Sequence, residues 1–191
     1  YVLWNEKARG LKLKISTLSG KYFGQVAYGT EFYKADGGEN VSQRFVGVKN
    51  GEKAFAVYSS GVYGSGKKGK DLYLTLFNGS AYCAHPIDKR PLLDGTRFVP
   101  FIEQGKHEFS FRLGVNEFCE CEKTANEFAE PPYSVNMYPH GNGEVAENIV
   151  TIDDTNVVVT AMKKRADGGF IIRLFNNDDK AKTATVTAAG A

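Results

Sequence analysis

The sequence predicts an all-β fold, an antiparallel two-sheet β-sandwich carrying one short helix. Three observations lead there. Short aromatic and β-branched runs alternate with polar residues at a period of two. Glycine-containing turns punctuate those runs, Asn50-Gly51 above all. The strand–helix–strand alternation of a parallel sheet is missing from the chain.

Taken in order, "LKLKI" at 11–15 sets Leu11, Leu13 and Ile15 against lysines, a strand with one wet face. "YFGQVAYGTEFY" at 22–33 is a second strand candidate. "QRFVGVK" at 43–49 and "KAFAVYSS" at 53–60 flank Asn50-Gly51, which predicts a hairpin. "SGKKGK" at 65–70 is rich in glycine and lysine and predicts a mobile surface loop with solvated lysines. "DLYLTLF" at 71–77 is nearly continuous in apolar residues, as a central, well-covered strand would be. In "FVPFIEQGKHEFSFRLG" at 98–114, His107, Phe109, Phe111 and Leu113 share one face of a half-buried strand, with Glu108, Ser110 and Arg112 on the other.

The β pattern then breaks. Phe118, Cys121, Ala125 and Phe128 recur at helical spacing, with Asn116 as a candidate cap and Pro131-Pro132 as the stop, so a short helix is expected within 116–130. "YSVNMYPHGNGE" is an irregular connection, and 116–148 is the place where a minor subdivision of the single 1–191 unit would fall. From 156 a three-stranded meander is expected: "NVVVTAMKK", a turn at 166–169, "FIIRLFN", a turn at 177–180, and "TATVT". Eight to ten strands in all are predicted.

Size and charge exclude several classes. At 191 residues about 70% of the unfolded surface can be buried, so a core can form without disulfides or metal. A formal net charge of +2 with mixed signs gives no argument for a nucleic-acid surface. No stretch approaches the ~20 apolar residues of a membrane helix, and no membrane partner is expected. The three cysteines, Cys83, Cys119 and Cys121, make an odd set without repeated spacing. That favours a reducing compartment, although a bridge from Cys83 to one of the others stays open. With no secretory leader in view, a cytoplasmic location is the expectation. The start at "YVLW" and the stop after "TATVTAAGA" suggest a piece excised from a longer protein.

Chemistry-bearing residues are few. His85, His107 and His140 are widely separated, each without the nearby second ligand of a zinc site, and His107 shares a face with phenylalanines. A half-buried, hydrogen-bonded imidazole accounts for it. In "C-E-C" at 119–121 the two sulfurs would diverge on a helix, which favours a buried, apolar role. Asp153-Asp154 and Asp178-Asp179 lie in polar turn sequences, where adjacent aspartates serve turns and caps rather than paired-carboxylate hydrolysis. "GSGKKGK" lacks the Gly-Lys-Ser/Thr and the following helix of a phosphate loop. Trp4, the single tryptophan, is expected to pack against another part of a longer chain.

Several segments together are similar to a known family. They are "AYGTEFYKADGGENVSQRFVGV" at 27–48, "KAFAVYSSGVYG" at 53–64, "LYLTLFNGSAYCAHP" at 72–86 and "NVVVTAMKKRADGGFIIRLFN" at 156–176, with "QGKHEFSFRLG" at 104–114. Their order and spacing resemble the C-terminal β-domain of the glycoside hydrolase family 38 α-mannosidases, over roughly 20–115 and 148–188. Gly61, Val62, Tyr63, Ala161, Lys163, Gly169, Arg173 and Asn176 stand in matching places. Phe77-Asn78 departs from the family's Leu-Arg pair, and "KKGK" replaces a shorter connection.

The resemblance implies a sandwich of the galactose-mutarotase-like, supersandwich type. It also implies a parent enzyme that hydrolyses α-mannosides with retention. The aspartate nucleophile, acid/base carboxylate and zinc of that enzyme would lie in a catalytic barrel outside this chain. No catalytic residue and no cofactor are therefore assigned here. Only Tyr63 and Arg173 are candidates for the substrate rim, each with a structural alternative: a core or edge tyrosine, and an arginine paired with Asp178. The expected partners are the chain's own catalytic barrel and, through it, an α-mannoside. The competing expectation is a free-standing carbohydrate-binding or adhesion sandwich. Oligomeric state is left undetermined.

Overall fold

The computed structural model describes residues 1–6, 9–16, 19–79, 103–136, 138, 148–178 and 180–188. Among these, the first strands are β1 (Val2–Trp4), β2 (Arg9–Ser16), β3 (Lys21–Val26), β4 (Gly29–Phe32) and β5 (Asp36–Val41). They are followed by β6 (Phe45–Asn50), β7 (Lys53–Ser59), β8 (Gly64–Lys68), β9 (Asp71–Gly79), β10 (Gly105–His107) and β11 (Phe111–Glu117). A 3-10 turn at Phe118–Glu120 leads into α1 (Cys121–Ala129). The last strands are β12 (Val150–Ile152), β13 (Val157–Lys164), β14 (Phe170–Asn176) and β15 (Val186–Ala188). Fifteen strands exceed the eight to ten expected because several are only three residues long, too short to show a period.

Two antiparallel sheets form the sandwich. One has the order β11-β7-β6-β3-β4, the other β2-β9-β8-β5. Tyr22, Val46 and Val57 of the five-stranded sheet meet Leu72 and Leu74 of the four-stranded sheet, with Leu13, Ile15, Phe55 and Phe111 packed around them. Tyr22 and Ser65 join the layers with a hydroxyl–hydroxyl hydrogen bond of 2.8 Å. The outer side of the four-stranded sheet is polar: Lys14 Nζ lies 2.8 Å from Asp71, and Ser16 Oγ donates to the same carboxylate at 2.9 Å. On the other side of the five-stranded sheet, Phe23, Phe45, Ala54, Ala56 and Tyr58 receive α1 through Cys121 and Ala125, with Phe118 and Phe128 at the margin. The helical spacing seen in the sequence is thus the stripe that packs. The small residues Ala54 and Ala56 let the helix approach its sheet.

The 45–59 hairpin forms as expected, with its turn one residue later. Asn50 pairs with Lys53, so Gly51-Glu52 is the two-residue loop. Gly51 takes φ +63° at the first turn position, the place where a twist-matched hairpin turn demands a glycine.

Four local expectations are corrected. "YFGQVAYGTEFY" is a hairpin rather than one strand: β3 and β4 fold back at Ala27–Tyr28. "SGKKGK" contains β8, and Ser65 and Lys67 are buried. Gly64 and Gly66 allow that strand to run tightly beside β5, since a Cβ on Gly66 would sit 2.9 Å from the Gly38 carbonyl oxygen. Lys67 threads its stem through the interior and donates from Nζ to the Gly69 carbonyl. Asn116 caps nothing; it is a β11 residue whose Nδ2 donates to the Tyr58 hydroxyl at 2.7 Å. The final strand leaves the meander, because β15 pairs with β12 while β13 and β14 pair only with each other.

The strand expected at 98–114 is two strands over its described part. β10 pairs with β1 and β11 with β7, so the chain passes from one sheet to another between them. The alternation survives the crossing: His107, Phe109 and Phe111 form a ring stack with centroid spacings of 6.2 and 6.5 Å. It ends at Leu113, which is 53% exposed because β11 is the sheet's edge.

Candidate functional site

A cleft of about 510 Å³ opens where α1 and the β3–β4 turn face the β13–β14 hairpin. Gln25 brings a polar side chain into it from β3, on the helix side of the sheet. Gln25 is 4% exposed, and both ends of its amide are hydrogen-bonded. Its Nε2 donates to both carboxylate oxygens of Glu122 at 2.7 Å, and its Oε1 accepts from the Arg44 backbone N–H at 2.8 Å. Glu122 stands in the first turn of α1, where partial positive charge suits a carboxylate. Burial nonetheless raises its pKa above the ordinary value, against the opposing pull of Gln25 and the Arg44 charge. Arg44 donates to Asn126 Oδ1 and faces Glu130 at 3.7 Å.

The wall opposite is apolar apart from Thr160. Val158, Val159 and Phe175 come from the hairpin, and Tyr28 stands at the mouth with its ring centroid 6.5 Å from that of Phe175. Tyr28 is held at φ +58°, a region that costs a non-glycine residue about 1–2 kcal/mol, and yet its side chain is 62% exposed. A second cleft, on the far side of Phe175, is lined by Phe32, Phe118, Lys49 and Lys182 among others. Two of its lysines are tied into local structure: Lys182 pairs with Asp178 at 2.9 Å, and Lys49 lies over the Phe118 ring at 4.1 Å.

The residues singled out from the sequence fall elsewhere. Tyr63 is 57% exposed in the connection between β7 and β8, and its carbonyl accepts from the Ser42 N–H at 2.8 Å. Arg173 lies on β14 opposite Ala161. Neither lines either cleft. Asp178 meets Lys182, while Asp179 lies outside the described residues. Asp154 accepts from the Asn156 N–H at 2.8 Å, the turn duty expected of it, whereas Asp153 accepts from the Thr185 N–H at 2.7 Å, a link between segments 32 residues apart. His107 donates from Nε2 to the Glu103 carbonyl at 2.9 Å and stacks on Phe77 at 4.7 Å, as a structural imidazole would. His85, His140 and Cys83 lie outside the described residues. Cys121 is buried and its thiol is pushed up to about 11 by that burial, whereas Cys119 lines the second cleft, so the two sulfurs diverge. Trp4 packs edge-on against Phe77 at 5.0 Å, and its buried indole N–H has no partner among the described residues. No group of three His, Cys, Asp or Glu among the described residues could hold a metal.

Gln25, Arg44 and Glu122 were not legible as a set. One signal was present: Gln25 is a lone polar residue inside the apolar run "YFGQVA", which marks a buried side chain that needs a partner.

No family model and no curated protein matches the sequence. Solved structures do match. One is a protein in glycosyl hydrolase family 38 from Enterococcus faecalis, with TM-score 0.73 and 14% identity over 94% of this chain and 22% of its own. Another is an α-mannosidase from Enterococcus faecalis V583, with TM-score 0.72 and 14% identity over 94% of this chain and 21% of its own. The likeness is one of fold, and it agrees with the fold expected from the sequence resemblance. The chain spans about a fifth of the length of these neighbours.

Proposed function

We propose that this chain is a non-catalytic β-sandwich domain of an α-mannosidase-like retaining glycoside hydrolase, packing on and supporting a catalytic barrel that lies outside it. One observation carries this: the fold matches over 94% of the chain, yet occupies only 22% of a family 38 neighbour. The β13–β14 hairpin supports the same reading. Val159, Met162, Phe170, Ile172 and Leu174 share one of its faces, and all but Ile172 are exposed. A two-stranded ribbon with an open apolar face is marginal alone and gains from a covering surface. Zinc and the carboxylate pair belong, in this reading, to the barrel, and Tyr63 and Arg173 are the positions here that would reach its rim. A free-standing carbohydrate-binding or adhesion module would call for a shared platform of exposed rings. Among the described residues, the exposed rings outside the β3–β4 hairpin are Tyr1, Tyr63, Tyr133, Tyr138 and Phe170, and they are spread along the chain rather than gathered on one sheet face.

The test is hydrolysis of an aryl α-mannoside by the 191-residue chain. The expected rate is that of a buffer blank; turnover above it overturns the non-catalytic assignment. Reading the adjoining coding sequence tests the rest, since a barrel with an H-x-D zinc-ligand motif is expected there.

A further inference from the structure

We propose that the cleft between α1 and the β13–β14 hairpin binds a neutral sugar of one or two rings, held by Glu122, Arg44 and Asn126 and flanked by Tyr28 and Phe175. This goes beyond the scaffold role and does not depend on it.

The chemistry of the lining selects the ligand class. The Glu122 carboxylate offers about four acceptor directions, and the Gln25 amide fills only two of them. Arg44 carries five N–H donors in a fixed fork, of which Asn126 and Glu130 engage part. Asn126 gives its oxygen to Arg44, which leaves its N–H pair turned to other acceptors. Donors and acceptors thus stand side by side, and a hydroxyl, which is both at once on a single atom, serves all of them. An anion would face Glu122 and Glu130; a cation would face Arg44. On the facing wall Tyr28, Phe175 and Val158, beside Thr160, suit the apolar C–H face of a pyranose. At about 510 Å³ the space falls within the range of small-molecule sites.

Tyr28 is the second observation. A large aromatic residue in left-handed backbone conformation is a costly choice where glycine or asparagine would serve the turn. Backbone strain of this kind collects at ligand clamps. Here the strained residue sets an exposed ring at the mouth of the cleft, where packing alone gains little.

The experiment is saturation-transfer NMR on the 191-residue chain with methyl α-D-mannopyranoside and methyl α-D-glucopyranoside, with arginine and acetate as charged probes. Saturable transfer to ring protons of at least one glycoside, and none to the charged probes, is expected. Tyr28→Gly relieves the φ strain, so folding is not at stake, and it should raise Kd about five- to tenfold. Glu122→Gln, which keeps the shape of the side chain, should weaken binding as well. Absence of transfer from both glycosides overturns the proposal. So does glycoside binding that neither variant changes, or transfer confined to arginine or acetate. None of these outcomes bears on the mannoside-hydrolysis test, so a failed cleft and a failed scaffold role are told apart.

Discussion

Glu122 is a carboxylate placed where burial opposes its charge, and Gln25 is the group that makes the position tolerable. Its folded pKa is raised above the ordinary 4.5, so the fold favours the protonated form. The stabilisation that follows is fully present below that ordinary value and is lost as pH rises through the raised one. Glu122→Gln removes the titration while keeping the side chain's length. Urea unfolding from about pH 4 to 8 should show the wild type gaining on the variant as pH falls, and a constant difference at the alkaline end. Asp71 and Asp153 act in the opposite sense. Hydrogen bonds from Lys14 and Ser16 to the first, and from Thr185 to the second, lower their pKa values. What they contribute is present above the ordinary carboxylate range and lost as pH falls through the lowered values. At this scale the sequence was informative about Asp154 and about His107, whose hydrogen-bond partners are neighbours along the chain. It was silent on Gln25–Glu122, which are 97 residues apart and meet only because α1 packs on the sheet that contains β3.

The hairpin of β6 and β7 was the most legible element, because its period, its flanking apolar runs and its turn glycine agree. Gly47 shows what the period does not reveal. A Cβ there would lie 2.2 Å from the Phe55 carbonyl oxygen and 2.9 Å from the Phe23 ring. Gly47→Ala should therefore cost about 1–3 kcal/mol in chemical denaturation, as overpacking does, although alanine is normally harmless in size. Element β8 was misjudged for the converse reason. "GSGKK" has no apolar residue to mark burial. The strand is buried because β5 and β9 pair on either side of it, and small side chains are what that closeness permits. The β3–β4 turn was missed because Ala27-Tyr28 is not turn chemistry; the sequence contradicts the local preference where the proposed cleft has its rim.

For the molecule as a whole, the open face of the β13–β14 hairpin is the feature that a partner surface would cover. Replacing Met162 and Leu174 together by threonine should lower dye binding and self-association of the 191-residue chain. The same exchange should change unfolding free energy by less than about 0.5 kcal/mol per site, the range of exposed positions. A larger loss of stability would mean that this face is already packed within the chain. The sequence by itself determined the class of fold, the helix stripe, the main hairpins and the likeness to family 38 β-domains, because each rests on residues close in the chain or on their order. The tertiary structure alone decided that "QGKHEFSFRLG" crosses from one sheet to another, that β15 pairs with β12, and that a carboxylate, an amide and a guanidinium from distant segments share one cleft. Periodicity reports which face of a strand is buried. It carries no record of which strand lies alongside, and sites are built from that adjacency.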